Sequence, residues 1–148
     1  MKKIVVLGGG GFIGGHLSKR LKEEGNHVRI CDIKKHEYFF QDEICHEFIL
    51  GDLTDPKVVE LVIEEGVDEV YQLAADMGGA LYIFTGEHDA DVMYNSATIN
   101  LNVAREAVKK KVGKLFYSSS ACMYPEHNQM DPDNPNCEES SAYPANPD

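Results

Sequence analysis

Positive charge is scarce in this sequence. Its 148 residues include 14 lysines and arginines against 25 aspartates and glutamates, which gives a formal net charge of -11 at pH 7. Nucleic acids and anionic membranes require a basic face, so we expect neither as a partner. The excess of acid still permits an anionic nucleotide, because backbone N–H groups and a helix dipole can hold a phosphate locally.

Long apolar runs and paired cysteines are also missing. Lys2 and Lys3 precede an apolar run, Ile4 to Leu7, that is too short for a signal peptide and stops at glycines. No run is long enough to cross a membrane. The cysteines form no C-x-x-C pair, which predicts reduced thiols in a cytoplasmic protein. They are Cys31, Cys45, Cys122 and Cys137.

Glycine, in contrast, is concentrated near the start of the chain. Four glycines, 8 to 11, follow the apolar run and lead into a helix-like pattern that begins at Phe12. Strand, glycine turn and helix in this order present bare backbone N–H groups to a pyrophosphate. The spacing fits G-x-G-x-x-G from Gly9 and G-x-x-G-x-x-G from Gly8, both ending at Gly14, and the residues do not separate these registers. An ordinary strand-to-helix turn is the alternative interpretation.

An acidic residue ends the next predicted strand. Asp32 follows the apolar segment 27–31 and comes about 18 residues after Gly14, where an acid accepts hydrogen bonds from the adenosine ribose hydroxyls. Its charge would repel a 2′-phosphate, which favours NAD over NADP. The neighbouring Lys34 and Lys35 keep the choice of cofactor open, and a solvent-facing turn residue is the alternative for Asp32.

Strand patterns alternate with helix patterns along the chain. Strands are predicted over 4–7, 27–32, 46–50, 68–75 and 114–118, and helices over 13–24, from 55 to before Gly66, and over 88–110. This alternation predicts an α/β fold with a doubly wound parallel sheet and a ligand at its carboxyl edge. The apolar stripe of the long helix is interpreted as core; it comprises Met93, Ala97, Leu101, Ala104 and Val108.

Hydroxyl and thiol groups cluster where the fifth predicted strand ends. Ser119, Ser120, Cys122 and Tyr124 fall at the expected ligand edge. A hydroxyl there can hydrogen-bond a substrate oxygen, and a thiol can act as acid or base. A serine turn with a structural cysteine is the alternative.

Together these residues resemble the extended short-chain dehydrogenase/reductase family of NAD-dependent epimerases and dehydratases. The resemblance rests on Gly8 to Gly14, Asp32, Gly51-Asp52-Leu53, Leu73-Ala74-Ala75, and Ser118 to Ser120 with Tyr124; the usual threonine before the glycines is Leu7 here. More specific motifs resemble the branch that epimerises GDP-mannose. They are LAADMGG at 73–79, MYN at 93–95, SSACMYPE at 119–126 and SAYPA at 141–145.

The resemblance implies a cofactor, a substrate and a role for each matched residue. It implies a Rossmann sheet of five strands in the order 3-2-1-4-5, without the later strands and the substrate domain, and NAD as cofactor. It assigns cofactor contacts to Gly8, Gly11, Phe12, Ile13, Gly14, Asp32, Asp52, Leu53, Leu73, Ala74, Ala75 and Ser118. It places Met77, Gly78, Gly79, Asn95 and Ser119 beside a nucleotide sugar of the GDP-mannose type. Ser120 would hydrogen-bond the reacting hydroxyl, and Cys122 would belong to the acid/base pair. A homodimer through helices that include 88–110 is also implied.

One family motif has no match in these 148 residues. Neither Tyr124 nor Tyr143 has a lysine four residues later, so the Tyr-x-x-x-Lys pair is absent. We therefore expect the N-terminal part of an epimerase, inactive alone, with an NAD-binding domain over 1–124. A Pro- and Asp-rich loop over 125–148 would lead toward the missing catalytic helix. The alternatives are a non-catalytic nucleotide-binding module and an NAD-dependent dehydratase or reductase of another nucleotide sugar.

Overall fold

The computed structural model describes residues 1–78, 82, 85–120, 123–128, 130–131, 133 and 137–143. The chain forms two compact units, Met1–Tyr117 and Ser118–Asp148. The functional division predicted at residue 124 stays a prediction.

The first unit is a five-stranded parallel sheet with helices between its strands. In chain order its elements are β1 (Lys3–Leu7), α1 (Phe12–Glu23), β2 (His27–Asp32), α2 (Gln41–Ile44), β3 (Glu47–Leu50), α3 (Pro56–Val62), β4 (Glu69–Gln72), α4 (Asp89–Lys109) and β5 (Lys114–Tyr117). The strand order is β3-β2-β1-β4-β5, and all four pairings are parallel. The predicted doubly wound fold and strand order are confirmed.

The core lies on both faces of this sheet. Side chains of β1 alternate between two apolar clusters, because successive residues of a strand point to opposite faces. One cluster packs β1 and β2 against α1 and α2 and contains Ile4, Val6, Leu21, Val28, Ile30, Ile44 and Cys45. The other packs the sheet against α3 and α4 and includes Val5, Leu7, Val59, Val62, Val70, Ile99 and Val103. Helices on both faces cover the inner strands, whereas every residue of β5 is exposed.

Local chemistry explains where α3 begins. The carboxylate of Asp55 accepts a hydrogen bond of 2.8 Å from the Lys57 N–H, and Pro56 occupies the first helical position, where no N–H is needed. The predicted extension of this helix toward Gly66 is wrong, because it ends at Val62. The side chain of Leu61 on this helix is exposed.

The predicted core stripe of α4 is wrong. Met93, Leu101 and Val108 are 74%, 71% and 80% exposed, and Ala97 and Ala104 are exposed as well. The buried face of α4 instead carries Ile99, Val103, Glu106 and Ala107. Both faces of this helix are apolar at helical spacing, and periodicity alone does not tell which one meets the sheet.

The second unit contains two short 3₁₀ turns, Glu126–Asn128 and Glu139–Ala142. The side-chain amide of Asn128 joins them by donating a hydrogen bond of 2.7 Å to the Ser141 hydroxyl. Across all described parts of the chain, no helix is both long and apolar enough to cross a membrane.

Candidate dinucleotide site

A cleft of about 390 Å³ lies at the carboxyl ends of β1 to β4. This volume falls within the range of protein ligand sites. The cleft brings together ten of the predicted site residues. They are Gly8, Gly11, Asp32, Asp52, Leu53, Leu73, Ala74, Ala75, Met77 and Asn95.

The glycine turn forms the floor of the cleft. Gly8 has a φ of +86°, and a Cβ there would stand 2.8 Å from the backbone nitrogen of Ala74. A Cβ on Gly14 would overlap the carbonyl of Gly8, whereas one on Gly9 would run into the side chain of Ile30 in the core. Gly8 and Gly11 line the cleft, whereas Gly9 and Gly14 are packed closely against neighbouring groups, so the glycines of both registers are required by the fold.

Gly11 stands where α1 begins. It occupies the N-cap position, and it has no side chain that could cap the helix. A Cβ here would meet only the Gly8 carbonyl, at 3.4 Å. The first N–H groups of a helix lack partners within the helix and carry its positive dipole end. This turn therefore offers hydrogen-bond donors to an anion of the size of a phosphate.

Asp32 ends β2 with its carboxylate held at both oxygens. Oδ2 accepts from the Gly10 N–H at 2.8 Å, and Oδ1 accepts from the Lys34 N–H at 3.1 Å. The residue is 9% exposed, and it lines the cleft. A carboxylate has about four acceptor positions, so two remain for ligand hydroxyls. The ammonium of Lys34 lies 3.5 Å from Glu37 on the surface.

The loop after β3 forms one end of the cleft. The carboxylate of Asp52 accepts from both the N–H and the hydroxyl of Thr54, at 2.9 and 2.8 Å. From α4, the side-chain amide of Asn102 donates to the carbonyls of Leu53 and Thr54, at 3.3 and 3.0 Å. These bonds fix the backbone of the loop beside Asp32.

The segment after β4 forms the other end. The predicted strand 68–75 is too long, because β4 ends at Gln72, whose side-chain amide bonds the backbone of Ala74 in place of the sheet. Farther along, the carboxylate of Asp76 accepts from Asn95 at 2.8 Å and from the hydroxyl of Tyr82 at 3.2 Å. Burial and the nearby Asp76 carboxylate raise the pKa of Tyr82, which keeps its hydroxyl protonated as a donor. The hydroxyl of Ser96 accepts from the Asp76 N–H at 3.2 Å.

Several predicted site residues are not part of this cleft. Phe12 and Ile13 are exposed on the first turn of α1, Gly14 packs behind the turn, and exposed Gly78 stands against the Tyr82 ring. Ser118, Ser119 and Ser120 begin the second unit and are exposed. Gly79 and Cys122 lie outside the described residues. The functions assigned to all of these stay predictions.

The cleft also includes residues that the sequence did not single out as site residues. They are Ile33, Lys34, Gly51, Thr54, Asp76 and Ile99. Four of them adjoin predicted site residues in the chain and Lys34 lies two residues after Asp32, so the carboxyl-edge rule alone could have found these five. Ile99 was missed because the opposite face of its helix was taken as core.

The buried thiols of the first unit are poor candidates for chemistry. Burial raises the pKa of Cys31 to about 12 and that of Cys45 to about 11. Both are therefore protonated near neutral pH, and a thiol is a weak nucleophile in that form.

Comparison with known proteins identifies one matching family and several relatives of similar sequence. The NAD dependent epimerase/dehydratase family matches residues 4–147. GDP-mannose 3,5-epimerase of Arabidopsis thaliana is 44% identical over 147 residues, which cover 98% of this chain and 38% of that protein. GDP-mannose 3,5-epimerase 1 of Oryza sativa subsp. japonica is also 44% identical and is covered to 37%. The chain thus spans less than two fifths of the length of these relatives.

Solved structures show the same fold. An epimerase from Methanothermobacter thermautotrophicus superposes with a TM-score of 0.73 at 28% identity, over 95% of this chain and 40% of that one. UDP-glucose 4-epimerase of Thermus thermophilus, solved in complex with NAD, superposes with a TM-score of 0.76 over 98% of this chain and 44% of that one. At 23% identity this second likeness concerns the fold alone. The family match over residues 4–147 goes further: this chain belongs to the NAD dependent epimerase/dehydratase family.

Proposed function

We propose that this chain binds NAD in the cleft at the carboxyl ends of β1 to β4, as the N-terminal part of an epimerase of GDP-mannose-type nucleotide sugars. The observation that carries the proposal is the joint placement of the Gly8–Gly11 turn and the Asp32 carboxylate in one cleft. The 44% identity to GDP-mannose 3,5-epimerase supports the choice of sugar nucleotide.

The chemistry of the cleft fits a dinucleotide in one orientation. Free acceptor positions on Asp32 suit the ribose hydroxyls of adenosine, and Ile33 and Leu53 offer apolar contact to a base. The pyrophosphate would rest on Gly11 and the first N–H groups of α1. The other half of the dinucleotide would then lie over the segment after β4, next to Ala74 and Ala75.

The proposed reaction leaves no net oxidation. NAD, when bound, would accept a hydride from a carbinol carbon of the sugar and return it to the same carbon once the neighbouring centres are inverted. The sugar ketone that results acidifies its neighbouring C–H bonds, and removal and return of a proton on opposite faces inverts those carbons. On the family resemblance, Ser120 holds the reacting hydroxyl and Cys122 exchanges the proton. Gly78, Gly79 and Ser119 would lie against the sugar.

Calorimetric titration of the 148-residue chain tests the cofactor assignment. We expect one NAD per chain and at least about tenfold weaker binding of NADP, because a 2′-phosphate would face the Asp32 charge. Absence of NAD binding would overturn the proposed function.

Assay of the complete protein tests the reaction. Incubation with GDP-mannose in D₂O should place deuterium on the epimerised carbons, whereas the 148 residues alone should give no turnover. None of the tyrosines in this chain precedes a lysine by four positions. A dehydratase would instead release water and leave a deoxy-keto sugar, and a binding module would produce neither change.

We also propose that the exposed apolar stripe of α4 pairs with the same stripe of a second copy. Five apolar residues at helical spacing face solvent there, and a large exposed apolar patch marks an interface. Leu101→Asp should convert a dimer into a monomer in sedimentation experiments. The control Leu61→Asp, at an exposed leucine of α3, should leave the dimer intact. A wild-type chain that sediments as a monomer at all concentrations would contradict this pairing.

A cytoplasmic location is proposed from the thiols. Cys31, Cys45 and Cys137 are free. The chain isolated without reductant should react with a thiol reagent at all four cysteines once it is unfolded. Protection of two or more of them would argue for an oxidising compartment.

A further inference from the structure

Gln72 is a buried amide whose side chain bonds both backbone polar groups of a neighbouring residue. It ends β4 and is 3% exposed. Its Nε2 donates to the carbonyl of Ala74 at 2.7 Å and to Oδ1 of Asn100 on α4 at 2.8 Å, while its Oε1 accepts from the Ala74 N–H at 3.2 Å. One side chain therefore holds both polar groups of the Ala74 backbone and ties them to a helix.

The backbone of Ala74 is a wall of the cleft. Gly8, at a φ of +86°, faces it so closely that a Cβ on Gly8 would stand 2.8 Å from the Ala74 nitrogen and 2.9 Å from the Leu73 carbonyl carbon. The last bond between β1 and this segment runs from the Leu73 N–H to the Leu7 carbonyl, at 3.0 Å. After that bond, the side chain of Gln72 instead of a neighbouring strand hydrogen-bonds the N–H and carbonyl of Ala74.

We infer that Gln72 is a positioning residue that sets the wall of the cleft for the half of the dinucleotide lying over β4. The inference rests on the proposed binding of NAD. It extends that proposal by dividing the cleft into two separately supported ends.

The end near β3 has its own support. Asn102 of α4 donates to the carbonyls of Leu53 and Thr54, beside the place proposed for adenosine. Asn100 and Asn102 thus anchor opposite ends of the cleft to one helix, and removal of either anchor should affect a different half of the ligand.

Binding of whole and half ligands tests this division. NAD and AMP are titrated calorimetrically into the wild-type chain, Gln72→Leu and Asn102→Leu. Gln72→Leu should weaken NAD by about tenfold and change AMP by less than about twofold, because only the β4 end loses its support. Asn102→Leu should weaken both ligands by the same factor. Equal loss of NAD and AMP in Gln72→Leu, or no loss of NAD, would overturn the inference.

A stability control separates positioning from general loosening. Val62→Ala removes buried volume from α3, away from the cleft. It should lower the midpoint of thermal unfolding and leave both affinities unchanged. If it reproduces the selective loss of NAD, Gln72 acts through stability, and the positioning function is refuted.

Gln72→Glu provides a second variant should the leucine variant not fold. A glutamate keeps an acceptor for the Ala74 N–H, but when ionised it sets a negative oxygen against the Ala74 carbonyl. Its protonated form can donate there. The NAD affinity of this variant, divided by that of the wild type, should therefore rise from pH 8 to pH 6, and a ratio that does not change would refute the inference. A wild-type chain that fails to bind NAD would overturn the proposed function itself, whereas unaffected variants of a binding chain overturn only the positioning function.

Discussion

The two ends of the parallel strands in the first unit are built from different chemistry. At the carboxyl ends the loops are held by side-chain amides and carboxylates that hydrogen-bond backbone groups. For example, the amide of Gln72 donates to the carbonyl of Ala74, and the amide of Asn102 donates to the carbonyl of Leu53. At the amino ends the strands are joined by ion pairs. Arg29 contacts Glu47 at 2.8 Å and Glu64 at 3.2 Å.

This difference has a physical reason. Side chains that hydrogen-bond the backbone of a loop fix its conformation and leave the surface that lines the cleft accessible to a ligand. Ion pairs, in contrast, occupy the space between neighbouring strands and helices. A dinucleotide can bind at the first kind of edge without displacing anything that stabilises the fold. We therefore expect substitutions at the carboxyl edge to change binding and those at the amino edge to change stability alone.

The largest effect is expected for Gly8→Ala. Its φ of +86° is unfavourable for alanine, and the added Cβ would press on the Ala74 backbone. Together these should lower the free energy of unfolding by about 3 kcal/mol and abolish NAD binding. Gly25→Ala is the matched control, because Gly25 has a φ of +84° with nothing within 4 Å of its Cβ position. Urea denaturation should show a loss of about 1 kcal/mol there. Equal losses in the two variants would show that crowding against Ala74 is absent.

Arg29→Met should have the next largest effect, and only on stability. The guanidinium is 12% exposed and also donates to the carbonyl of Val62 at 3.1 Å, so its loss removes one donor from that carbonyl and one cation from each of two carboxylates. We expect a loss of about 2 kcal/mol in the free energy of unfolding. NAD affinity should stay at the wild-type value in calorimetry. Arg29→Lys should recover only part of the loss, because one ammonium does not reach every partner of the guanidinium. Weaker NAD binding in either variant would contradict the expectation that substitutions at the amino ends of the strands change stability alone.

Asp32→Asn tests the carboxyl edge with a smaller change. Asparagine keeps a side-chain oxygen for one of the two backbone donors but removes the charge and an acceptor. NAD affinity should fall about tenfold, or about 1.4 kcal/mol, and the discrimination against NADP should shrink by a similar factor. Competition titrations with both dinucleotides measure this ratio. An unchanged preference would assign cofactor choice to a group other than the Asp32 carboxylate.

Sequence reasoning was successful where one chemical pattern has one structural solution. A short apolar run followed by glycines predicted β1 and the turn, and an acid after the next apolar segment predicted the position of Asp32 at the end of β2. In these places the geometry of the backbone restricts which residue types fit. It was wrong about the stripe from Met93 to Val108, because a helix with two apolar faces has two ways to meet a sheet. It also placed the end of β4 too late. There the side chain of Gln72 makes the hydrogen bonds to Ala74 that a neighbouring strand would otherwise make, and apolar patterning does not reveal such a change of partner.

The smallest expected effect concerns the pH dependence of the amino edge. The His46 ring accepts a hydrogen bond of 3.1 Å from the Val28 N–H through Nδ1, and it stacks on His27. Burial, and then the neighbouring His27 and Lys22, lower the pKa of His46 below its usual value. The unfolded chain therefore takes up this proton at higher pH than the folded chain, and stability falls as the pH drops below about 6.5.

The exposed position of His46 limits this loss to about 0.5 kcal/mol or less between pH 7.5 and pH 5.5. Below this window a second loss begins, because hydrogen bonds from His27 and Arg29 hold the pKa of Glu47 below its usual range. His46→Asn keeps an acceptor for the Val28 N–H and cannot titrate. Urea denaturation across this window should give a flatter profile for the variant, with the loss below pH 4.5 unchanged. If the free energy of unfolding falls equally in the wild type and the variant between pH 7.5 and pH 5.5, the proton is taken up by another group. The stability at the amino ends of the strands then does not depend on the titration of His46.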